Sequence, residues 1–123
     1  MARIKESGEN YLETILILKK KLPSGVVRSV DIVEELGYSK SSVSRAVNLL
    51  KNNGYINIAK TGEITFTEKG RAHVTDLYER HQVLTEFLIS LGVDADIAEE
   101  DACRVEHIIS EESFNAIKRE INK

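Results

Sequence analysis

Between Asp31 and Tyr55 the chain reads DIVEELGYSKSSVSRAVNLLKNNGY, two short helical periodicities separated by a turn with no room for another element. Ile32, Val33 and Leu36 fall on one side of a helix, and Gly37 is a natural left-handed stop. Ser39 is placed to accept from the free N–H groups of a second helix. In that helix Val43, Ala46, Val47 and Leu50 recur at three and four residues until Gly54. Two short helices joined in this way form a helix-turn-helix, whose second helix lies in a DNA major groove. The polar side of that helix carries Lys40, Ser41, Ser42, Ser44, Arg45 and Asn48 behind Ser39, small donors and cations suited to phosphates and base edges. The plain alternative is a helical hairpin within a bundle, but a helix serving only as surface would carry more Glu.

Two β-prone runs follow, Tyr55-Ile56-Asn57-Ile58-Ala59 and Ile64-Thr65-Phe66-Thr67, with Lys60-Thr61-Gly62-Glu63 as a Gly-containing hairpin turn between them. A hairpin directly behind a recognition helix is a wing. Lys60 at its tip is expected to meet the phosphate backbone or the minor groove and to add affinity with little sequence information. The expected fold is therefore mainly α with a small β-hairpin wing, a winged helix-turn-helix followed by a helical dimerisation domain.

A net charge of −3 sits badly with a protein that touches DNA until it is divided along the chain. Residues 1–71 hold 12 Lys/Arg and 8 Asp/Glu, net +4, whereas residues 72–123 hold 5 and 12, net −7. A basic half beside an acidic half points to a nucleic-acid face joined to a region with a different role. At 123 residues the chain is one ordinary domain or two small ones sharing a core. Its apolar runs are too short to span a bilayer, and MARIKES has no apolar run behind its charges to make a signal peptide. The cytoplasm is the expected location, and a single Cys, unable to form an internal disulfide, agrees with a reducing compartment.

Residues 7–22 are predicted to be a helix with Tyr11, Leu12, Ile15, Leu16, Leu18 and Leu22 on a broad apolar face and Lys19, Lys20 and Lys21 near its C-terminal end. Thr67 is positioned to cap a long helix reaching about Ser90, with Gly92 as its stop. Asp94 to Ile109 is predicted to be a further helix, and Ser110 to cap a last one with Phe114, Ile117 and Ile121 on one stripe. Helices four to six hold too little chain to enclose a core of their own, so their apolar stripes are expected to meet a second subunit.

On the fifth predicted helix Cys103, Glu106 and His107 stand at i, i+3 and i+4, a spacing that puts three metal-ligand types on one side. A divalent ion held there would need a further ligand from another helix. His81 in YERH is one candidate, and Asn10 and Glu13, three apart on the first helix, are others. The plain readings are a Cys acting as a small buried hydrophobe and a Glu-His pair on a solvated face.

The whole chain resembles the metal-dependent transcription regulators that include the diphtheria toxin repressor and the manganese transport regulator. The matching pieces, in family order, are ENYLETI, SKSSVSRAVNLLKNNGYI, ITFTEKG, YERHQVLTEFL and ACRVEHIIS. The resemblance implies a homodimer, with residues 1–71 as the winged helix-turn-helix DNA-binding domain and residues 72–123 as the helical dimerisation and metal-binding domain; two recognition helices in such a dimer are expected to read a palindromic double-stranded DNA operator. It puts Cys103, Glu106 and His107 at the family's principal regulatory ligand positions, Cys103 being the choice of the iron branch where the manganese branch has a carboxylate. Glu13 matches a ligand of the manganese branch only, Asn10 matches neither branch's residue, and His81 matches a His found in both. Thr85 in place of a carboxylate and Glu99 in place of a His weaken the ancillary site of the iron branch. With the chain ending at Lys123, it resembles a short form without the SH3-like third domain.

Thiolate and imidazole disfavour hard Mn²⁺ relative to Fe²⁺, while Asn10 and Glu13 supply oxygen that both ions accept, so Fe²⁺ is favoured over Mn²⁺. The expectation is an Fe²⁺- or Mn²⁺-activated repressor of metal-uptake genes. The alternative within the same fold is a winged-helix regulator with no metal. An enzyme using Cys103 or a catalytic metal is disfavoured, because no HExxH occurs and Glu106 precedes His107.

Overall fold

The structure, a computed structural model, describes residues 6–123. Met1 to Lys5, in the stretch where no signal peptide is expected and where the first domain span begins, lie outside the described residues. The described elements are α1 (Glu6–Lys21), α2 (Ser29–Leu36), α3 (Lys40–Asn52), β1 (Ile56–Ile58), β2 (Ile64–Phe66), α4 (Glu68–Ser90), α5 (Ala95–Val105) and α6 (Glu111–Ile121). Contacts divide the chain into two units, Met1–Val74 and Thr75–Lys123, with the boundary inside α4. No described helix is long and apolar enough to cross a membrane.

The first unit is organised by its caps. Gly37 ends α2 in the left-handed conformation (φ 72°, ψ 18°), donating its N–H to the Val33 carbonyl at 2.8 Å, a backbone state that costs other residues energy. Ser39 then opens α3 by accepting from the Ser42 N–H at 3.2 Å. Three residues therefore connect α2 to α3. α2 begins at Ser29, two residues before the expected Asp31, because the Asp31 carboxylate accepts the Arg28 backbone N–H at 2.8 Å and draws the preceding turn into the helix.

Behind α3 the hairpin pairs antiparallel, Ile56 with Phe66, Asn57 with Thr65 and Ile58 with Ile64. The Ile64 N–H lies in a further bridge, donating to the Val27 carbonyl at 2.8 Å, so the segment before α2 edges the wing. Leu12 and Ile15 of α1, Ile32 of α2, Val43, Val47 and Leu50 of α3, with Val27, Ile56 and Ile64, form one closed core. Burying side chains of this size stabilises by about 1.5–3 kcal/mol each relative to exposure.

Thr67 joins two elements through one hydroxyl, donating to the Gly54 carbonyl at 2.6 Å and accepting from the Gly70 N–H at 3.0 Å. Gly70 itself lies against Tyr55, the residue before β1: a Cβ at this position would stand 1.9 Å from the Tyr55 carbonyl oxygen, a distance no side chain tolerates. In the second unit Leu77 and Leu84 of α4, Ala98 and Ala102 of α5 and Phe114 of α6 are buried. Asp94 caps α5 and Ser110 caps α6, each side chain accepting a backbone N–H within its own first turn.

Candidate functional site

Within the first unit the outward face of α3 is made by Lys40, Ser41, Ser44, Arg45 and Asn48, all exposed, while Val43, Val47 and Leu50 are buried behind it. Asn48 Nδ2 donates to Ser44 Oγ at 3.4 Å, linking two polar side chains one turn apart. Ser39 and Ser42 act locally, with their hydroxyls 2.9 Å apart within the α3 cap, and Ser42 is half-buried. Lys60 stands exposed in the turn of the wing, which is closed by the Gly62 N–H donating to Ala59 at 2.8 Å and the Ala59 N–H donating to Glu63 at 2.9 Å.

α1 carries Asn10 and Glu13 in different surroundings. Asn10 is exposed, and its carbonyl accepts the Thr14 hydroxyl at 2.8 Å; Glu13 is half-buried. One turn earlier Glu9 is buried against His73 of α4 in an ion pair, and the His73 ring stands edge-on to Tyr55 at 5.6 Å.

In the second unit the expected helix over Asp94 to Ile109 is corrected: α5 stops at Val105, and residues 106–108 form a turn. The Ile108 N–H reaches back only three residues to the Val105 carbonyl at 3.0 Å, and Ser110 is already extended (φ −70°, ψ 156°) to cap α6. The Ile109 N–H also reaches the Val105 carbonyl, at 2.9 Å, so the chain tightens over one turn before Ser110 becomes extended. Cys103 therefore lies on the last turn of α5, and Glu106 and His107 lie in the turn that follows, with Glu106 still at helical dihedrals (φ −56°, ψ −29°). Glu106 and His107 are buried, at 0% and 5% exposure, while Cys103 is exposed on the last turn of α5.

The buried carboxylate gathers imidazoles. His81 Nδ1 of α4 lies 3.0 Å from Glu106 Oε2, and His107 Nε2 lies 3.4 Å from Glu106 Oε1. His81 Nε2 is 4.0 Å from Glu99 Oε1, and His81, Asp96, Glu99, Glu100 and Cys103 line an open groove of about 410 Å³. His81 thus has one nitrogen toward the buried carboxylate and the other toward the groove that Cys103 borders. Thr85 turns its hydroxyl to the His81 carbonyl at 2.7 Å, which braces α4 at the position of the imidazole.

Arg80, the neighbour of His81, is not apparent from ligand spacing but holds this arrangement. Its Nη1 donates to the Ile109 carbonyl at 2.9 Å, its Nε to Asp76 at 3.1 Å, and its guanidinium stands 5.4 Å from the Phe114 ring centre. One side chain fastens α4 to the far end of the turn that carries Glu106 and His107. The only sequence signal was its place inside YERH.

The residues fit a divalent transition metal. Carboxylate and imidazole are the donors such ions take, and a bordering thiol adds a softer one. A carboxylate removed from water loses several kcal/mol of hydration, which positive charge beside it offsets. The second unit otherwise bears net negative charge, which favours cations over anions.

Comparison with known proteins gives two family matches that together span most of the chain. Residues 3–64 match "Iron dependent repressor, N-terminal DNA binding domain", and residues 67–123 match "Iron dependent repressor, metal binding and dimerisation domain". The transcriptional regulator MntR of Escherichia coli O157:H7 is 32% identical over 117 residues, 95% of this chain and 74% of that protein. The HTH-type transcriptional regulator MntR of Geobacillus kaustophilus is 35% identical over 113 residues, 92% of this chain and 77% of that protein. The structure of the manganese regulator SloR superposes with a TM-score of 0.77 at 26% identity, covering 94% of this chain and 53% of SloR, so the chain spans about half of that protein's length.

Proposed function

The chain belongs to the iron-dependent repressor family of DNA-binding regulators, and on that premise we propose that it is a divalent-metal-responsive transcriptional repressor rather than an enzyme. The observation that carries the reading is the buried Glu106 carboxylate with an imidazole at each oxygen, inside the region that matches a metal-binding and dimerisation domain. Cys103, Glu106, His107 and His81 are the proposed ligands. Asn10 and Glu13 are proposed to add oxygen donors on the strength of the family resemblance. The metal, when bound, supplies positive charge and a fixed coordination geometry. The chain's residues hold it, and occupancy raises affinity for DNA.

Recognition is assigned to α3 and the wing. Ser41, Ser44, Arg45 and Asn48 present donors to base edges, Lys40 and Lys60 meet phosphates, and the Ser39 and Ser42 hydroxyls hold the cap that aims the helix. As a homodimer in the cytoplasm the protein would read a palindromic operator with half-sites about one helical turn apart or a multiple of it. Regulated genes would be those of metal uptake, repressed when the metal is plentiful.

The ion is proposed to be Fe²⁺ or Mn²⁺. The Cys103 thiolate inclines the set toward Fe²⁺, whereas relatives named MntR and a neighbour named a manganese regulator incline it toward Mn²⁺. Changing Cys103→Asp removes the soft donor and is expected to shift the Fe²⁺/Mn²⁺ affinity ratio toward Mn²⁺. An unchanged ratio in competition titrations excludes the thiol as a ligand.

Gel-shift titration tests the whole reading. Wild type should bind its operator more tightly with Mn²⁺ or Fe²⁺ than with EDTA, and Glu106→Ala should bind equally in both. Metal dependence that survives Glu106→Ala would remove the assigned site. Operator binding indifferent to EDTA in the wild type would favour a metal-independent winged-helix regulator.

A further inference from the structure

Arg28 is a cation that neither the pattern of α3 nor the assignment of Lys60 accounts for. Its backbone is held on both sides. The preceding Val27 carbonyl accepts the Ile64 N–H at 2.8 Å, and the Arg28 N–H is given to Asp31 at 2.8 Å. From this fixed point the exposed side chain crosses the turn of the wing. Its Nε donates to the Thr61 carbonyl at 3.1 Å, and its Cδ lies 3.7 Å from where a Cβ on Gly62 would be. Among the described residues the Arg28 guanidinium forms no ion pair.

A guanidinium carries five N–H donors in a planar fork, and Nε uses one of them here. The four on the terminal nitrogens remain for an acceptor of matching width, a carboxylate or a phosphodiester. The Nε anchor has already removed much of the rotamer freedom that a long side chain loses on binding, so the fork meets its ligand with a smaller entropic cost than a free Lys. The acceptor that a DNA-binding domain brings to this edge is the phosphate backbone.

We propose that Arg28 is a DNA-phosphate contact and that, with Lys60 adjacent to the Thr61 carbonyl that anchors it, it forms a two-cation clamp at the tip of the wing. This rests on the reading that the wing meets the duplex. Gly62 holds the turn in a positive-φ conformation (φ 90°) that other residues rarely adopt, which sets the Thr61 carbonyl's neighbour within van der Waals reach of the Arg28 stem. Affinity added here is independent of base sequence.

The test is the salt dependence of binding by the full-length, Mn²⁺-loaded protein to a duplex enriched by the wild type from a random pool. Each lost phosphate contact lowers the slope of log K against log[salt] by about 0.9, hence by about 1.8 for a dimer with two wings. Arg28→Gln is expected to show that loss with unchanged sequence preference. Arg28→Lys keeps the charge without the anchor, so it should keep the slope and bind more weakly at every salt concentration. A wild-type slope in Arg28→Gln, whatever its melting temperature, overturns the proposal and leaves Arg28 as a structural tie. Arg28→Lys equal to wild type in slope and affinity overturns the anchoring. Lys60→Gln and Arg45→Gln are run beside them. If neither alters the slope, the assignment of α3 and the wing to DNA is what has failed.

Discussion

Arg80 reaches Asp76, the Ile109 carbonyl and the face of Phe114 without being a metal ligand, so its effect on the site passes through the turn it holds. Supporting groups of this kind typically contribute 10- to 100-fold in metal affinity. Arg80→Ala is expected to weaken Mn²⁺ binding by about 10-fold in calorimetric titration. Unchanged affinity would mean the turn is held by its backbone alone. Gly70 is a second position where one residue decides a large effect. Because a methyl group there would overlap the Tyr55 carbonyl, Gly70→Ala should cost roughly 1–3 kcal/mol, read as a lowered melting temperature. His73 pairs with the buried Glu9, so His73→Ala should destabilise by about 1.5–3 kcal/mol in denaturant unfolding, with little effect on metal affinity. Neither Gly70 nor His73 stands out in the sequence. Their importance comes from neighbours 15 and 64 positions away, Tyr55 and Glu9, and no local periodicity reports such contacts.

At the scale of elements, the sequence marks ends more clearly where a cap has its own residue type. Gly37, Ser39, Thr67 and Ser110 act at the boundaries their residue types suggest, and Asp94, expected as the first helical residue, caps α5 from just outside it. The end of α5 was not legible, because Val105, Ile108 and Ile109 continue an apolar helical spacing and no Gly or Pro interrupts it. The signals at this end are tertiary: Ser110 is extended as the cap of α6, and Arg80 of α4 bonds the Ile109 carbonyl just before it. The i, i+3, i+4 triad comprises two buried groups and one exposed thiol, a difference in burial that spacing alone does not report. The proposed recognition by α3 and the wing divides in a testable way: Arg45→Ala should relax base preference, whereas Lys60→Ala should weaken binding evenly across sequences. Selection from a random DNA pool separates the two, and the reverse pattern would refute the division. Ser39→Ala should lower stability by about 1 kcal/mol through loss of the α3 cap.

For the whole molecule, large apolar side chains stand exposed in both units, Ile17, Val30 and Leu49 among them in the first. The second leaves Leu91, Ile97 and Ile108 at 65%, 53% and 71% exposure, more apolar surface than a small region normally gives to water. Homodimerisation through this unit would cover it. The double substitution Ile97→Glu with Ile108→Glu is accordingly expected to give monomers in sedimentation equilibrium, and a dimer unaffected by it would place the interface elsewhere. If the metal binds only the folded state, saturation at 100 times its Kd should stabilise by about 2.7 kcal/mol, and EDTA should reverse the rise in melting temperature. The boundary between the units falls inside the 23-residue α4 rather than in a loop. A protease cleaves most readily at an exposed, flexible strand of chain, and between Val74 and Thr75 it would meet unbroken helix. Limited digestion should therefore spare this junction, and expressing either half alone would leave it with a severed helical stump, so dissection of the protein into fragments would have to retain α4 entire on one side.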